Sequence, residues 1–385
     1  MRQRDDLVFP MQEYQRRLDA LRGVMAEQEL DAMLTTTPEN IAYLTGFDSP
    51  GHYWFQGMVV PLEGEPFTFS RLLETSGIED GTWVELNYGY HDSDDIMSSL
   101  AARLLEHGLA DSRVGYEQDC WFFTASQQQR LLYSLPTTAF VDVSGLIEQL
   151  RLVKSDLEVQ QIRRAASAAA VGMQAGVEAV ASGRTEDEVA AELMAALIRG
   201  GSHWPSIVPF IASGERGAIG HATWKGRTIR DRDSVFLEIG GCRNRYHAAM
   251  MRTVVVGRAD PEMQRAFEVV LEAVDAATRT IRPGVPAGEV DRVCRAIIAD
   301  AGFGENQASR TAYSIGIAVP PDWGEGQILS MKPGEGRPLL RNMTFHLLPW
   351  VQIPGKGGVG CSETVRVTED GCEVLTDFPR ELFEA

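Results

Sequence analysis

The stretch "VFLEIGGCRNRYHAAMMRT", residues 235–253, decides how the rest of the chain is read. Its apolar start, the paired glycines Gly240 and Gly241 and the Arg245-Tyr246-His247 cluster read as an active-site strand. Glu238 sits there amid apolar and glycine neighbours, the desolvated setting in which functional carboxylates occur; an ion pair with an arginine such as Arg252 is the structural alternative. The stretch offers no second acidic residue, which a metal site of this shape needs. The question it raises is what chemistry remains if no metal is held here.

On either side of this strand the chain echoes itself. "VEAVASGRTEDEVAAELMAALIRGG" (177–201) and "TRTIRPGVPAGEVDRVCRAIIADAG" (278–302) both read as a helix end, a glycine-containing turn and an amphipathic helix closed by glycine. Each is followed by strand-like segments carrying His, Tyr or acidic residues, at 207–256 after the first and at 312–318 and 343–368 after the second. Two such halves facing each other would set those strands around one shared pocket. Before them, the first 150 residues alternate a helix near 11–29 with the strand-like runs "DAMLTTT", "IAYLTGF", "GMVVPL", "RVGYEQD" and "TTAFVDVSG", the pattern of a small α/β domain. Ser155 and Glu158 form a capping-box pattern ahead of a long helix, which sets the domains at 1–152 and 153–385.

At 385 residues, 44% hydrophobic and 23% charged, the chain is long enough for two domains with ordinary cores. A net charge of -18 argues against nucleic acid or an anionic membrane as partner, because binding either requires Lys and Arg to replace counterions. No apolar run approaches the roughly 20 residues that span a bilayer, and the N-terminus does not join a basic start to a long apolar run, so a cytoplasmic protein is expected. The cysteines Cys120, Cys242, Cys294, Cys361 and Cys372 are scattered with no C-x-x-C pair and read as free thiols, Cys242 and Cys361 as small buried hydrophobes.

Five segments complete the reading: "IGHATW" with His221, the opening strand with Glu238, "RTAYSIGIAVPPDWGEG" with Tyr313, "NMTFHLLPW" with His346 and "GCSETVRVTEDG" with Glu363. Their order and spacing resemble the pita-bread family of prolidase, aminopeptidase P, methionine aminopeptidase and creatinase, over essentially the whole chain. The resemblance implies an N-terminal creatinase-type α/β domain and a C-terminal pita-bread domain with an internal pseudo-twofold repeat. Metallopeptidases of the family hold two metal ions with five ligands, and those positions become Glu238, Ala249, Tyr313, Leu348 and Glu363 here. Ala249 and Leu348 offer no donor, so a dinuclear centre is not expected, and neither a metal nor another cofactor is assigned.

Within the family, "LEIGGC", "RYH", "PPDWGE" and "NMTFHL" look most like the metal-free ectoine hydrolase branch, which opens the ring of a cyclic amidine. That resemblance implies Glu238 and Glu363 as nucleophile or base, with His221, Tyr313 and His346 donating or moving protons. A zwitterionic substrate would be held by Arg252 or Arg310 at its carboxylate and walled by Trp323, with Asp322, Tyr246 and His247 as further binding candidates. The segment "YLTGFDSPGHYWFQG" departs from the branch pattern, and its Tyr53, Trp54 and Phe55 are read as a substrate wall reaching over a partner subunit's pocket, hence a homodimer. Two other readings stay open: a creatinase-like amidinohydrolase acting on an open-chain guanidino compound, and a non-catalytic protein that binds a small zwitterion. For single residues the structural alternatives are a turn-capping His221, a packed Tyr313, and an Asp322 that only fixes the loop after Pro320-Pro321.

Overall fold

A computed structural model of the protein describes residues 1–304 and 309–385. The chain divides into two compact units, Met1–Arg151 and Leu152–Ala385. In the first, β1 (Ala32–Thr35), β2 (Gly57–Pro61), β3 (Phe67–Arg71), β4 (Leu86–Tyr90), β5 (Arg113–Tyr116) and β6 (Ala139–Asp142) form a mixed sheet in the order β4-β3-β2-β1-β5-β6. Leu34, Val59, Phe67 and Phe69 from its middle strands pack with Met97, Leu100 and Leu104 of the helix Ile96–Glu106 in one core. The run "IAYLTGF" is not a strand. It falls largely in the helix Pro38–Thr45, which starts on a proline with preset φ and stops at Gly46, in the left-handed region at φ +84°.

In the second unit the Ser155 and Glu158 side chains exchange both capping-box hydrogen bonds and open the helix Asp156–Ala179. Thr185 and Glu188 do the same for the helix Glu186–Arg199 packed against it. A second pair of packed helices follows, Pro261–Thr280, capped by Asp260 accepting from the Glu262 and Met263 N–H groups, and Ala287–Asp300, which starts after Pro286 without a side-chain cap. After the first pair come β7 (Phe210–Ser213), β8 (Ser234–Arg243) and β9 (Tyr246–Val255); after the second come β10 (Ala312–Ser314), β11 (Ser330–Met331), β12 (Thr344–Leu347), β13 (Trp350–Ile353), β14 (Gly357–Gly360), β15 (Glu363–Val367), β16 (Cys372–Val374) and β17 (Phe383–Glu384). They build the sheets β17-β9-β8-β7 and β11-β10-β12-β15-β16 and the hairpin β13-β14.

The two sheets meet along β9, and side-chain hydroxyls make the join. Thr364 Oγ1 accepts from Ala249 N–H and donates to Ala249 C=O, both at 2.9 Å, while Ser362 Oγ accepts from Met251 N–H at 2.7 Å. Thr253 Oγ1 closes the row by accepting from Gly360 N–H at 3.0 Å. Buried backbone groups at this edge thus find partners without a continuous ladder. Along β8 the two-residue alternation sends Val235, Leu237 and Ile239 into the helix-packed core and leaves Phe236 and Glu238 on the other face. That face is where the site lies.

Candidate active site

A cavity of about 720 Å³ opens over this face of β8, with Phe210, Phe236, Glu238 and Met251 on one side and Tyr313, Asp322 and Trp323 on another. His221, Arg310, Leu348 and Trp350 complete its wall. Glu238 is fixed by register, opposite Phe210 on β7 and Met251 on β9. Its buried carboxyl has no hydrogen-bond or ion-pair partner among the described residues. Burial, with the neighbouring Asp322 carboxylate, pushes its ionisation up to about 8. At neutral pH the group is therefore mostly protonated.

The aromatic wall depends on two glycines. A Cβ on Gly240 would come within 2.6 Å of Trp323 Cε3, and one on Gly324 within 2.6 Å of Tyr313 Cε2, so only glycine lets these rings lie where they do. Trp323 Nε1 donates to Tyr313 Oη at 2.7 Å, and His346 Nδ1 bonds the same oxygen at 2.8 Å. Arg310 sets its guanidinium 4.5 Å from the centroid of the Tyr313 ring and forms no ion pair among the described residues. Burial and the nearby Glu238 raise Tyr313 well above the ordinary phenol range, so it stays protonated. Asp322 is exposed at the cavity, with Oδ1 accepting from Gly324 N–H at 3.1 Å. Behind the loop, the buried Lys154–Glu325 pair at 2.6 Å holds it to the start of the second unit.

His221 lines the cavity from an exposed loop, in the left-handed region at φ +60° and with its ring 5.1 Å from that of Phe210. His346 lies one layer behind Tyr313, fully buried. Burial, with the Arg310 charge nearby, depresses it to about 3, so it is a neutral imidazole and not the protonated cation that could pair with a substrate carboxylate.

Several sequence expectations place residues elsewhere. Glu363 does not face the cavity: its Oε1 accepts from Arg252 Nη2 at 2.8 Å and from Arg380 Nε at 2.9 Å, and Thr376 donates to Oε2. The residue before it, Ser362, takes the position towards His346, at 2.6 Å from Nε2. Arg252 is likewise occupied, since it also donates to the carbonyls of Pro379, Met251, Ser362 and Phe378. Tyr246 donates to Glu158 at 2.9 Å, and His247 is buried between Arg245 C=O and Ser206 N–H, its ionisation forced down by burial and Arg245. Neither lines the cavity. In the first unit Phe55 is a core residue packed against Phe69 and Phe123, whereas Tyr53 and Trp54 are exposed, 67% and 39%, with Arg71 over the Trp54 ring. Ser362 is the residue that sequence reasoning missed, because a serine beside a glutamate in "GCSET" draws the eye to the acid.

The donor set does not suit a metal centre. Ala249 is packed at the cavity with Phe210 and Trp323, Leu348 lines its wall, and among the described residues no three His, Cys, Asp or Glu side chains converge to hold an ion. The lining holds the carboxyls of Glu238 and Asp322, the Tyr313 phenol and the His221 imidazole, and its two carboxyls and imidazole do not converge on one point.

Two family models match in tandem: the Creatinase/Prolidase N-terminal domain over residues 17–153 and Metallopeptidase family M24 over residues 160–369. The chain belongs to this metallopeptidase family, with the N-terminal domain that its creatinase and prolidase members carry, and its second unit has the pita-bread fold. Among characterised sequences it is similar to the ectoine hydrolase of Halomonas elongata, 34% identical with 98% of each chain covered. Solved structures of the same fold include an Xaa-Pro dipeptidase from Bacillus anthracis (TM-score 0.83, 25% identity, 97% of this chain and 100% of that one). A prolidase from Thermococcus sibiricus superposes with TM-score 0.86 at 25% identity, covering 97% and 99%. At family level the protein is a hydrolase.

Proposed function

We propose that this protein is a metal-independent hydrolase that opens a C–N bond of a small cyclic amidine, with ectoine or hydroxyectoine as substrate and an N-acetyl-2,4-diaminobutyrate as product. The observation that carries the reading is Glu238: a desolvated carboxyl that, among the described residues, has no hydrogen-bond or ion-pair partner, facing a cavity also lined by Arg310, whose guanidinium forms no ion pair among those residues. A flat amidinium matches the aromatic walls and the carboxyls of Glu238 and Asp322, and its own carboxylate matches Arg310. Similarity to the Halomonas enzyme supports the same substrate class.

The ionisation of Glu238 makes the site responsive to that charge. Free, the carboxyl keeps its proton; a bound cation stabilises the carboxylate and releases the proton to solvent. The Glu238 carboxylate then either takes a proton from a water whose oxygen adds its lone pair to the amidinium carbon, or adds through its own oxygen to give an adduct that water cleaves after the ring opens, regenerating the carboxylate. As the C–N bond breaks, its electron pair goes to the departing nitrogen, which takes the proton that came from the attacking water, leaving an amide and an amine with one water consumed. Tyr313 donates a hydrogen bond to the developing oxygen. With Glu363 bound to two arginines, Asp322 is the second carboxylate, pairing with the amidinium rather than attacking.

We further take the enzyme to be cytoplasmic and a homodimer, the second reading supported by the exposed Tyr53 and Trp54 side chains of the first unit. The test of substrate class is incubation with ectoine, hydroxyectoine, creatine and Xaa-Pro dipeptides, followed by mass spectrometry. Water addition to ectoine or hydroxyectoine is expected. Urea release from creatine would favour the amidinohydrolase, and tight binding without turnover a binding protein.

A further inference from the structure

The hydroxyl of Ser362, one layer from the cavity, closes a chain of hydrogen bonds whose direction can be worked out. Ser362 Oγ accepts from Met251 N–H at 2.7 Å, which occupies one lone pair. Its own proton has one acceptor among the bonds of the described residues, His346 Nε2 at 2.6 Å. Were Nε2 protonated instead, the serine oxygen would face two N–H donors and its own buried proton would have no acceptor, an arrangement folded proteins avoid. Nε2 is therefore the accepting nitrogen, and a neutral imidazole then carries its proton on Nδ1.

The consequence is transmitted to Tyr313. Nδ1–H of His346 donates to Tyr313 Oη at 2.8 Å, and the indole N–H of Trp323, a group that only donates, reaches the same oxygen at 2.7 Å. Both lone pairs of the phenol oxygen are then filled, and its proton is used by neither neighbour. Tyr313 lines the cavity, so the proton is free to point into it.

We propose that Ser362 is a positioning residue that fixes His346 as the Nδ1–H tautomer and so makes Tyr313 an obligatory hydrogen-bond donor to whatever oxygen or nitrogen occupies the cavity. The kinetic consequence rests on the hydrolase reading above; the tautomer does not. Neither Ser362 nor the direction of this chain is visible in the sequence motif, where Glu363 stands beside it.

The experiment is nitrogen NMR of the full chain labelled at the histidine rings, with His346 assigned by the signals lost in His346→Gln. In the wild type Nδ1 is expected at a protonated-type shift with an attached proton and Nε2 at an unprotonated-type shift. Ser362→Ala should move the ring towards the Nε2–H form and lower kcat at least tenfold with KM little changed, and Ser362→Thr, which keeps the hydroxyl, should recover the Nδ1–H form. A wild-type His346 protonated on Nε2, or a Ser362→Ala ring with unchanged tautomer, overturns the proposal. The wild-type spectrum decides the matter even if the alanine variant does not fold. It needs no substrate, so a protein that turns over no amidine would sink the hydrolase reading and leave this one standing or fallen by itself.

Discussion

Glu238 and Glu363 have the same side chain and opposite surroundings, and the difference sorts their roles. Glu238→Gln keeps shape and removes charge and basicity; turnover should fall by on the order of a hundredfold or more while folding survives. The pH dependence of stability has a definite sign. A folded-state ionisation raised from 4.5 to about 8 favours the neutral acid, so the stabilisation is complete below the unfolded value and is lost as pH rises through the folded one. Over that window the wild type loses on the order of a few kcal/mol that Glu238→Gln does not. Melting curves of the two proteins from about pH 5 to 9 should therefore diverge in favour of the variant, and parallel curves would show that Glu238 is not desolvated as described. Glu363→Gln should instead unfold easily: it leaves Arg252 buried without its anion, a loss of about 3 to 5 kcal/mol. Denaturant melts measure this directly, and a stable but inactive Glu363→Gln would return that residue to the chemistry.

At the scale of elements, the strand and helix pattern was legible where polarity alternates and illegible where it does not. The capping-box reading at Ser155 and Glu158 finds its helix, and the repeated helix-turn-helix units find theirs. "IAYLTGF" misled because Ile41 and Tyr43 favour strands, while the cues to a helix, Pro38 and Gly46, lie at its ends. The phase of β15 was beyond reach for a different reason. Ser362, Glu363 and Thr364 are all fully buried, so hydropathy cannot say which side chain meets His346 and which the arginines. Every residue of β9 is buried as well, which hid the fact that Arg252, Tyr246 and His247 turn to structural partners. β8 is nearly as buried, but its single acid, Glu238, marks the cavity face among aliphatics that pack on the helices. Gly240→Ala tests this geometry: its Cβ meets the rigid Trp323 ring, not the end of a flexible chain, so the wall must shift. KM should rise several-fold with a smaller change in kcat; unaltered binding would mean that Trp323 is no substrate wall.

For the whole molecule, the order of five motifs along the chain made the family legible before any single motif was secure, and the tandem family matches agree with it. The proposed assembly rests on the resemblance of the Tyr53–Phe55 segment to a partner-covering element and on the exposure of Tyr53 and Trp54. A homodimer is expected by sedimentation velocity at micromolar concentration, and a fully active monomer would contradict that reading. We propose that a metallopeptidase fold does hydrolytic work here through Glu238 without a metal, because Ala249, packed with Phe210 and Trp323, and Leu348, in the cavity wall, carry no donor atoms. The most direct measurement is turnover of ectoine by protein stripped with a chelator and checked by elemental analysis. The account predicts an undiminished rate with no Mn, Zn, Fe or Co present in amounts matching the protein; activity lost to the chelator and restored by one of those metals would contradict it.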